Sequence, residues 1–324
     1  MQATQPLVSI CIPTYNRSAC LKQTLDSILP QKEFVDGRVE VVINDNASTD
    51  DTEVVSKSYT TRYSNIHYFK NPENLLDRNF PITFSRATGK LRKLNNDTAV
   101  LLPGALKYLC DMEQKYEDTR PVMFFSNGKT SPHSKEQITD QVLDFQAFLR
   151  TISYWITWIG SFSLWDSDCK DIETDFDGCE LRLWQVKKLC ENGSEKNAIA
   201  VCNKQVITSI APPKKDISYG LYQVFYENYF KIIDPYVKRG VLQQDDRDFL
   251  EKDLLLNFFP DWIIQWEMNN QKLQYSESEN LRQAVYDHYK SKSYWNEYLR
   301  IYKRRKLQLK IKNFAKKVLV KKGK

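Results

Sequence analysis

The sequence predicts an α/β fold with a doubly wound, mostly parallel sheet, a helical C-terminal region and a basic amphipathic tail. Three observations support this prediction. Short apolar runs alternate with helical patterns over the first 126 residues, as in strand–helix–strand units. After the Pro-Pro pair at 212–213, strand patterns become scarce and long amphipathic helices are predicted over 217–320. Residues 300–324 contain twelve Lys or Arg and no Asp or Glu.

The first part of the chain alternates regularly between predicted strands and helices. We predict strands at residues 7–13, 39–43, 66–69, 91–94 and 122–126. We predict helices at residues 18–29, with Ser18 as the N-cap, and at 49–63 and 79–86. Right-handed crossovers bring the strand-end loops onto one rim of such a sheet, where ligands bind. Loops 15–17, 45–50 and 95–97 are therefore expected to face one crevice.

Residues 127–212 have a mixed pattern. A polar, turn-rich loop is predicted at 129–137. The remaining periodic segments predict helices at 142–156 and 181–190 and a strand at 160–165. The runs 198–202 and 206–210 predict either a hairpin or two consecutive edge strands.

The composition indicates an ordinary globular protein. The chain has 324 residues, of which 41% are hydrophobic and 27% charged, so it is long enough for one or two domains with sizeable cores. Its seven cysteines include no Cys-x-x-Cys pair, which favours a reducing cytoplasm over a structural zinc site. We find neither a signal peptide nor an apolar run of 18 residues. A cytoplasmic location is therefore expected.

The charge is divided unequally along the chain. The net charge is +6, but without the twelve basic residues of the tail 35 basic side chains face 41 acidic ones. Within the tail, Leu307, Ile311, Phe314 and Val318 recur at helical spacing and form one apolar stripe among lysines. This pattern predicts a peripheral anchor on an anionic membrane surface, at the inner face of the cell membrane. The alternatives are a solvated chain end and a nucleic-acid-binding arm, the latter disfavoured by the acidic body.

Asn95, Asn96 and Asp97 follow directly after the predicted strand at 91–94. Hard cations such as Mg²⁺ and Mn²⁺ prefer oxygen ligands, so a carboxylate at this strand end suits an ion that bridges a diphosphate. The alternative is an ordinary polar turn, because Asn and Asp favour turns.

Three segments resemble the successive signatures of family 2 glycosyltransferases with the GT-A fold. They read VSICIPTYNR at 8–17, VINDNASTDDT at 42–52, and ATGK followed by NND at 87–97. The resemblance covers about the first 110 residues in order and spacing, and extends to bacterial enzymes that build O-antigen, capsule or similar polysaccharides. It implies a hexosyltransferase-type transfer from a nucleotide-sugar donor, usually with inversion at the anomeric carbon, with Mn²⁺ or Mg²⁺ as cofactor.

The resemblance also implies roles for residues near the first two strands. Pro13, Tyr15 and Arg17 would border the nucleotide base and diphosphate. Asp45 matches the aspartate that hydrogen-bonds the uracil edge, consistent with a carboxylate accepting from an imide N–H. The alternative for Asp45 is a turn residue ahead of a helix.

The family's Asp-x-Asp motif falls on Asn95, Asn96 and Asp97. Asp97 would bind the metal that bridges the diphosphate, and the two asparagines would contact the donor. Asn95 replaces the first acid of the motif and removes one charge, so ribose contact survives the replacement more easily than tight metal binding.

Candidates for the general base and for the acceptor surface lie within residues 127–212. The family's usual catalytic acid falls on Gly178, so Asp177 is the first candidate for the base and Glu180 the second. Both acids would also favour a helix N-terminus by charge alone. Trp155, Trp158 and Trp165 offer flat faces for an acceptor sugar, with core packing as the alternative.

The predicted organisation has four parts. These are a donor-binding half at 1–126, an acceptor-binding half at 127–212, a helical region at 213–299 and the tail at 300–324. Two other functions compete with glycosyl transfer. A sugar nucleotidyltransferase would need a Gly-rich loop after the first strand, and residues 13–17 contain no glycine. A non-catalytic nucleotide-sugar-binding scaffold is favoured by Asn95 and Gly178, and a test for UDP release would distinguish it.

Overall fold

The computed structural model of the protein describes residues 5–132, 139–210, 219–268 and 280–322, with side chains of the last helix described through residue 315. The predicted boundary at 212–213 and most of the predicted loop at 129–137 lie outside the described residues. The chain divides into two compact units, residues 1–214 and 215–324, which are described separately. The division of the first unit into donor and acceptor halves stays a prediction.

A five-stranded sheet lies at the centre of the first unit. Its order is β3-β2-β1-β4-β8, and its strands are β1 (Val8–Thr14), β2 (Val39–Asp45), β3 (Ile66–Lys70), β4 (Leu91–Leu94) and β8 (Ser163–Trp165). Strands β1 to β4 are parallel, and β8 runs antiparallel to β4. Every residue of β2 is buried, as expected of a central strand covered on both faces. The mostly parallel sheet is thus confirmed.

Five helices connect or flank these strands. They are α1 (Ser18–Ile28), α2 (Lys32–Val35), α3 (Thr52–Thr60), α4 (Asn79–Ser85) and α5 (Ala105–Tyr116). The prediction that Ser18 caps α1 is wrong, because Ser18 is the first helical residue and Arg17 occupies the N-cap. Instead, the Asp50 carboxylate accepts a hydrogen bond from the Ser18 N–H at 3.0 Å. A side chain from the loop after β2 therefore satisfies one of the free N–H groups of α1.

The remaining strands and α-helices of the first unit agree unequally with their predictions, and β6 agrees with the strand predicted at 122–126. They are β5 (Ala99–Leu101), β6 (Val122–Phe125), β7 (Gln141–Leu143), α6 (Phe145–Ile152), α7 (Trp184–Lys196), β9 (Ile199–Cys202) and β10 (Ile207–Ser209). The helix predicted at 142–156 is wrong at its start, where β7 pairs with β9 and the Asp144 side chain caps α6. The hairpin alternative for 198–202 and 206–210 is also wrong, since β9 pairs with β6 and β7 while β10 pairs with β5.

The strand order places a topological switch point between β1 and β4. From β1 the chain adds β2 and β3 on one side, and then returns to place β4 on the other side. Cys11 pairs with Leu94, and the Asn95 N–H donates to the Cys11 carbonyl at 2.8 Å. The residues that follow β4 therefore lie beside the carboxyl end of β1, which is where open α/β sheets bind ligands.

The second unit is helical in its described residues, as predicted. Its helices are α8 (Tyr229–Lys238), α9 (Gln244–Asp253), α10 (Phe259–Met268), α11 (Leu281–Tyr289) and α12 (Trp295–Lys322). A π-helical segment, Gln223–Asn228, precedes α8, and a second, Leu254–Phe258, joins α9 to α10. The tail boundary predicted at residue 300 falls inside α12. None of the described helices has both the length and the apolar character needed to cross a membrane.

A buried carboxylate, Glu251, links several helices of this unit. It accepts hydrogen bonds from Tyr226 at 2.8 Å, His288 at 2.7 Å and Lys292 at 2.9 Å. Burial opposes its ionisation, but the bonds from His288, Lys292 and Tyr226 lower the pKa of Glu251 to about 2. The carboxylate is fully engaged within the helical unit, so we assign it a structural role.

Candidate active site

Three side chains meet at the carboxyl ends of β1 and β4, and we call Thr14, Arg17 and Asp97 the strand-end group. The Thr14 hydroxyl donates to Asp97 Oδ2 at 2.9 Å, and Arg17 Nη1 donates to Asp97 Oδ1 at 2.9 Å. The Asp97 side chain is 2% exposed, whereas that of Arg17 is 38% exposed. The sheet thus brings together residues 80 positions apart, as the predicted crevice requires.

The Asp97 carboxylate lies in an unfavourable place for a charge. Burial raises its pKa, and the Arg17 guanidinium, the Thr14 hydroxyl and the Tyr15 N–H act in the opposite direction. The Asp97 carbonyl also accepts from the Thr24 hydroxyl on α1 at 2.8 Å. Asp97 is therefore held from several sides.

The two asparagines before Asp97 differ in exposure. Asn95 is 1% exposed, and its amide nitrogen donates to the carbonyls of Asn96 and Ala99, each at 3.0 Å. Asn96 is half-buried. In this geometry the Asn95 amide stabilises the turn between β4 and β5, and the donor contacts predicted for both residues stay predictions.

Asp45 ends β2 and is fully buried. Its Oδ1 accepts from the Ser48 N–H at 2.8 Å, and its Oδ2 accepts from the Tyr68 hydroxyl at 2.8 Å. These two bonds use only part of the acceptor capacity of a carboxylate, which is about four lone-pair positions. Asp45 is therefore rigidly oriented, and it retains acceptor capacity on a carboxylate that is shielded from solvent in this arrangement.

The loops that follow β1 and β2 are joined by Asn16. Its N–H donates to the Ser48 hydroxyl at 2.8 Å, and its Oδ1 accepts from the Thr49 N–H at 2.8 Å. Asn16 has a positive φ of 51°, which asparagine tolerates better than most residues. On either side of this contact, Pro13 is half-buried and Tyr15 is 42% exposed.

A buried asparagine network fixes the loop after β3. Asn46, which is 4% exposed, donates to Asn74 at 2.7 Å and to the Leu76 carbonyl at 3.2 Å. Its side-chain oxygen accepts from Asn71 at 3.1 Å and from the Leu75 N–H at 2.9 Å. The residue next to Asp45 therefore determines where loop 71–79 lies. Sequence reasoning missed this role, although Asn46 stands within a recognised motif.

A cavity of about 480 Å³ lies between loop 73–78 and residues 176–182. Its lining consists of Glu73, Asn74, Leu75, Leu76, Asp77, Arg78, Phe176, Cys179, Glu180 and Arg182. Arg182 Nη1 binds Asp77 Oδ1 at 3.0 Å, and the Arg78 guanidinium lies 5.1 Å from the Phe176 ring centroid. Burial raises the pKa of Asp77, and Arg182 opposes this shift. The cavity is polar and charged, as a sugar or phosphate ligand would require.

The two candidate bases lie in different surroundings. Glu180 lines the cavity, and its Oε2 accepts from the Gly178 N–H at 3.2 Å. The Asp177 side chain is 64% exposed, is paired with Lys187 and is not among the cavity-lining residues. Gly178 has a φ of +92°, where an aspartate would be strained. The backbone itself therefore disfavours an acid at the family's usual position.

The three tryptophans proposed for the acceptor surface differ in burial. Trp165 is fully buried and donates to the Pro121 carbonyl at 2.7 Å, so its assignment to an acceptor surface is wrong. Trp158 is half-buried and packs on the main core. Trp155 is half-buried, with its ring centroid 5.1 Å from that of Tyr154. For Trp155 and Trp158 the acceptor role stays a prediction.

Comparisons with known sequences agree with the motifs. Residues 9–128 match the model of the family described as glycosyl transferase family 2. Abequosyltransferase RfbV of Salmonella typhimurium is 38% identical over 125 residues, which are 38% of this chain and 36% of that protein. A GalNAc(5)-diNAcBac-PP-undecaprenol beta-1,3-glucosyltransferase of Campylobacter jejuni is 31% identical over 106 residues, 32% of this chain and 33% of that protein. The chain thus spans about a third of the length of these relatives.

Solved structures share the fold over most of the chain. TarS 1-349 of S. aureus in complex with UDP-GlcNAc has a TM-score of 0.57 at 19% identity, covering 80% of this chain and 78% of that one. The mannosyltransferase PcManGT from Pyrobaculum calidifontis in complex with GDP-Man and Mn²⁺ has a TM-score of 0.53 at 14% identity, covering 94% and 87%. These similarities confirm the GT-A-type fold, and the family match confirms the resemblance of the N-terminal part.

Proposed function

We propose that this chain, which resembles family 2 glycosyltransferases over residues 9–128, transfers a sugar from a UDP-sugar to a hydroxyl group of a glycan or lipid-linked acceptor. The observation that carries the proposal is the strand-end group of Thr14, Arg17 and Asp97 at the β1/β4 switch point. The resemblance to RfbV supports a place in bacterial surface polysaccharide synthesis, and the fold shared with TarS in complex with UDP-GlcNAc supports a UDP-sugar donor.

Asp45 and the strand-end group would bind different parts of the donor. Asp45, oriented by Ser48 and Tyr68, would accept a hydrogen bond from the uracil imide. Arg17 would contact the diphosphate, because a guanidinium fork matches phosphate oxygens in charge and geometry. Pro13 and Tyr15 would border the base, and the asparagines at 95 and 96 would lie near the ribose.

The proposed transfer is a single displacement with inversion. The acceptor oxygen attacks the anomeric carbon on the face opposite the nucleotide, and the bond from that carbon to the β-phosphate oxygen breaks. The electron pair of the broken bond leaves on UDP, and a carboxylate takes the acceptor's hydroxyl proton.

Between the two candidate bases, the geometry favours Glu180. It lines the cavity, where an acceptor hydroxyl can reach it, whereas Asp177 is paired with Lys187 outside the lining. Asp77 is a half-buried acid of the same cavity, and its ion pair with Arg182 suits it to positioning. We therefore place Glu180 first and Asp177 second.

The divalent cation implied by the resemblance is poorly matched by the residues present. Asp97 is the one charged candidate ligand at positions 95–97, and each of its oxygens already accepts a hydrogen bond. Among the described parts of the chain, no group of three or more His, Cys, Asp or Glu could hold a metal ion. The reaction proposed above therefore uses the protein's own residues and not Mn²⁺ or Mg²⁺.

The last helix supports a proposal about location. Leu307, Ile311 and Phe314 of α12 are 59%, 60% and 70% exposed. Arg300, Lys303, Arg304 and Lys310 lie within about 60° of this stripe on an ideal helix of 3.6 residues per turn. The other face packs within the second unit, where Arg305 binds Asp261 at 3.0 Å. We propose that the exposed face binds an anionic membrane surface.

The enzyme assignment is tested by nucleotide release. The protein is incubated with UDP-sugars and GDP-sugars, with and without candidate acceptors, and free nucleotide is measured. We expect UDP release from one UDP-sugar, and a larger rise in melting temperature with UDP than with GDP or ADP. Stabilisation by UDP without release would favour the non-catalytic scaffold. Neither stabilisation nor release would overturn the assignment.

The membrane proposal is tested separately with vesicles. Full-length protein should co-sediment with vesicles containing phosphatidylglycerol, and salt should release it. A variant with Leu307, Ile311 and Phe314 changed to Gln should lose this binding. A matched variant with Val35 and Val54 changed to Gln, exposed apolar residues of the first unit, should keep it. Failure of the parent protein to bind at low salt would contradict the proposal.

A further inference from the structure

The Arg17 side chain is bound to a buried partner in the strand-end group and is also partly exposed. Among the described residues its guanidinium donates a hydrogen bond from Nη1 to Asp97 Oδ1 at 2.9 Å. The side chain is nevertheless 38% exposed, so part of it is open to a ligand. A guanidinium carries five N–H donors in a planar fork, which leaves donors for two oxygens of a phosphate group.

The same site offers little to a divalent cation. Asp97 already accepts one hydrogen bond at each oxygen, from Thr14 and Arg17, so a cation would compete with both partners for this carboxylate. A cation at Asp97 would also lie close to the Arg17 charge. Asn95 contributes no charge, and its amide nitrogen is bonded to two carbonyls.

The neighbouring acids also already accept hydrogen bonds within the protein. Asp50 accepts from the N–H groups of Ser18 and Thr52, each at 3.0 Å. Asp45 accepts from Ser48 and Tyr68. At the β1/β4 switch point, Arg17 thus supplies a positive charge, and the buried Asp97 carboxylate binds it.

We infer that Arg17, anchored by Asp97, binds the donor diphosphate directly, so that nucleotide binding needs no divalent cation. This inference rests on the proposed function, because it takes a nucleoside diphosphate as the ligand. It assigns Asp97 the role of a positioning residue for Arg17, in place of the metal ligand that the resemblance implies. The leaving diphosphate would then be stabilised by a fixed guanidinium.

The test is calorimetry of UDP binding in buffer containing EDTA and in buffer containing Mn²⁺. We expect the two Kd values to agree within about threefold, well below the tenfold change that corresponds to about 1.4 kcal/mol. In EDTA, Arg17→Gln should weaken UDP binding by about 10- to 100-fold, the range for losing a hydrogen bond to a charged group. Arg17→Lys keeps the charge and loses the planar fork. Its affinity for UDP should lie between those of the parent protein and of Arg17→Gln.

Lys22→Gln is the matched control. Lys22 lies on α1, the helix that Arg17 precedes, its side chain is 59% exposed, and it pairs with Asp26. This variant should bind UDP like the parent protein. Melting temperatures of all variants identify any loss of folding, and the Arg17→Lys variant retains a charged partner for Asp97.

The outcomes separate the two proposals. UDP binding that disappears in EDTA and returns with Mn²⁺ would overturn this inference and leave the proposed function standing. Binding in EDTA that is equal in the parent protein and in a folded Arg17→Gln variant would also overturn it. Failure of UDP to bind under both conditions would instead count against the proposed function itself.

Discussion

The strand-end group and the cavity belong to the same unit but are built differently. Asp97 is 2% exposed and has both carboxylate oxygens paired, whereas Glu180 is exposed and accepts one hydrogen bond from a backbone N–H. Asp97 lies where parallel strands end, whereas Glu180 belongs to a loop without strand structure. The difference indicates a division of labour, since a fully paired carboxylate can hold a neighbour in place while a loosely held one can take a proton.

The largest expected effect concerns the cavity. Glu180→Gln should lower the transfer rate by about 10²- to 10⁴-fold, the usual range for losing a general base, because the amide cannot accept the acceptor's proton. UDP affinity, measured by calorimetry, should be unchanged. Asp177→Asn is the control and should retain most activity, because Asp177 is paired with Lys187. Loss of activity in the control alone would place the base outside the cavity and break the comparison.

The next effect concerns donor recognition at the strand ends. Asp45→Asn should weaken UDP binding by about 1–3 kcal/mol, because the buried carboxylate that would accept from the base is lost. Tyr68→Phe removes one of the bonds that orient Asp45 and keeps the charge, so its effect should be smaller. Calorimetry on both variants gives the comparison. Equal affinities in Asp45→Asn and the parent protein would remove Asp45 from the donor site.

A third prediction concerns the link between the two regions. Asn46→Ala should lower the free energy of unfolding by about 2–3 kcal/mol, because it leaves buried partners such as the Leu75 N–H unpaired. Glu73→Ala is the control, since Glu73 is exposed on the same loop and its loss should cost less than about 1 kcal/mol. Denaturant titration measures both. Similar losses in the two variants would show that Asn46 does not fix the loop.

The smallest effect is a pH dependence in the sheet beneath the strand-end group. Lys93 on β4 is 1% exposed, and burial lowers its pKa to about 7 from the ordinary 10.5. Because the unfolded chain binds the proton more tightly, stability should rise between pH 7 and 8.5, by at most about 1.4 kcal/mol per pH unit. Denaturant titrations across this range should show the slope in the parent protein, and Lys93→Met should lose it. An unchanged slope in the variant would assign it to other groups.

The candidate site was predictable where it depends on strand ends. Apolar runs locate β1, β2 and β4, and the rule that parallel strands end on one rim places Arg17 near Asp97. The pairing between these two side chains was not predicted, because carboxylate chemistry and the family's Asp-x-Asp motif both assigned Asp97 to a metal. Whether a carboxylate meets a cation of the chain or an ion from solution depends on distances that sequence spacing does not contain.

Other predictions were wrong where the same residues suited two different structures or roles. The apolar residues around Phe145–Ile152 predict a longer helix, yet the preceding strand Gln141–Leu143 forms because β9 offers an edge for pairing. Trp165 was assigned to a ligand surface, although a buried carbonyl at Pro121 satisfies its N–H inside the core. In both cases a tertiary partner outweighed the local pattern.

The sequence by itself determined the alternation of strands and helices, the family resemblance of the first part and the concentration of basic residues after residue 299. These depend on local periodicity and on motifs whose spacing survives without coordinates. The tertiary structure alone decided that Arg17 pairs with Asp97, that Asn46 holds loop 71–79, and that Glu180 lines the cavity while Asp177 does not. The physical reason is that such roles depend on burial and on angstrom-scale contacts between distant segments, which arise only when the sheet and its loops are assembled.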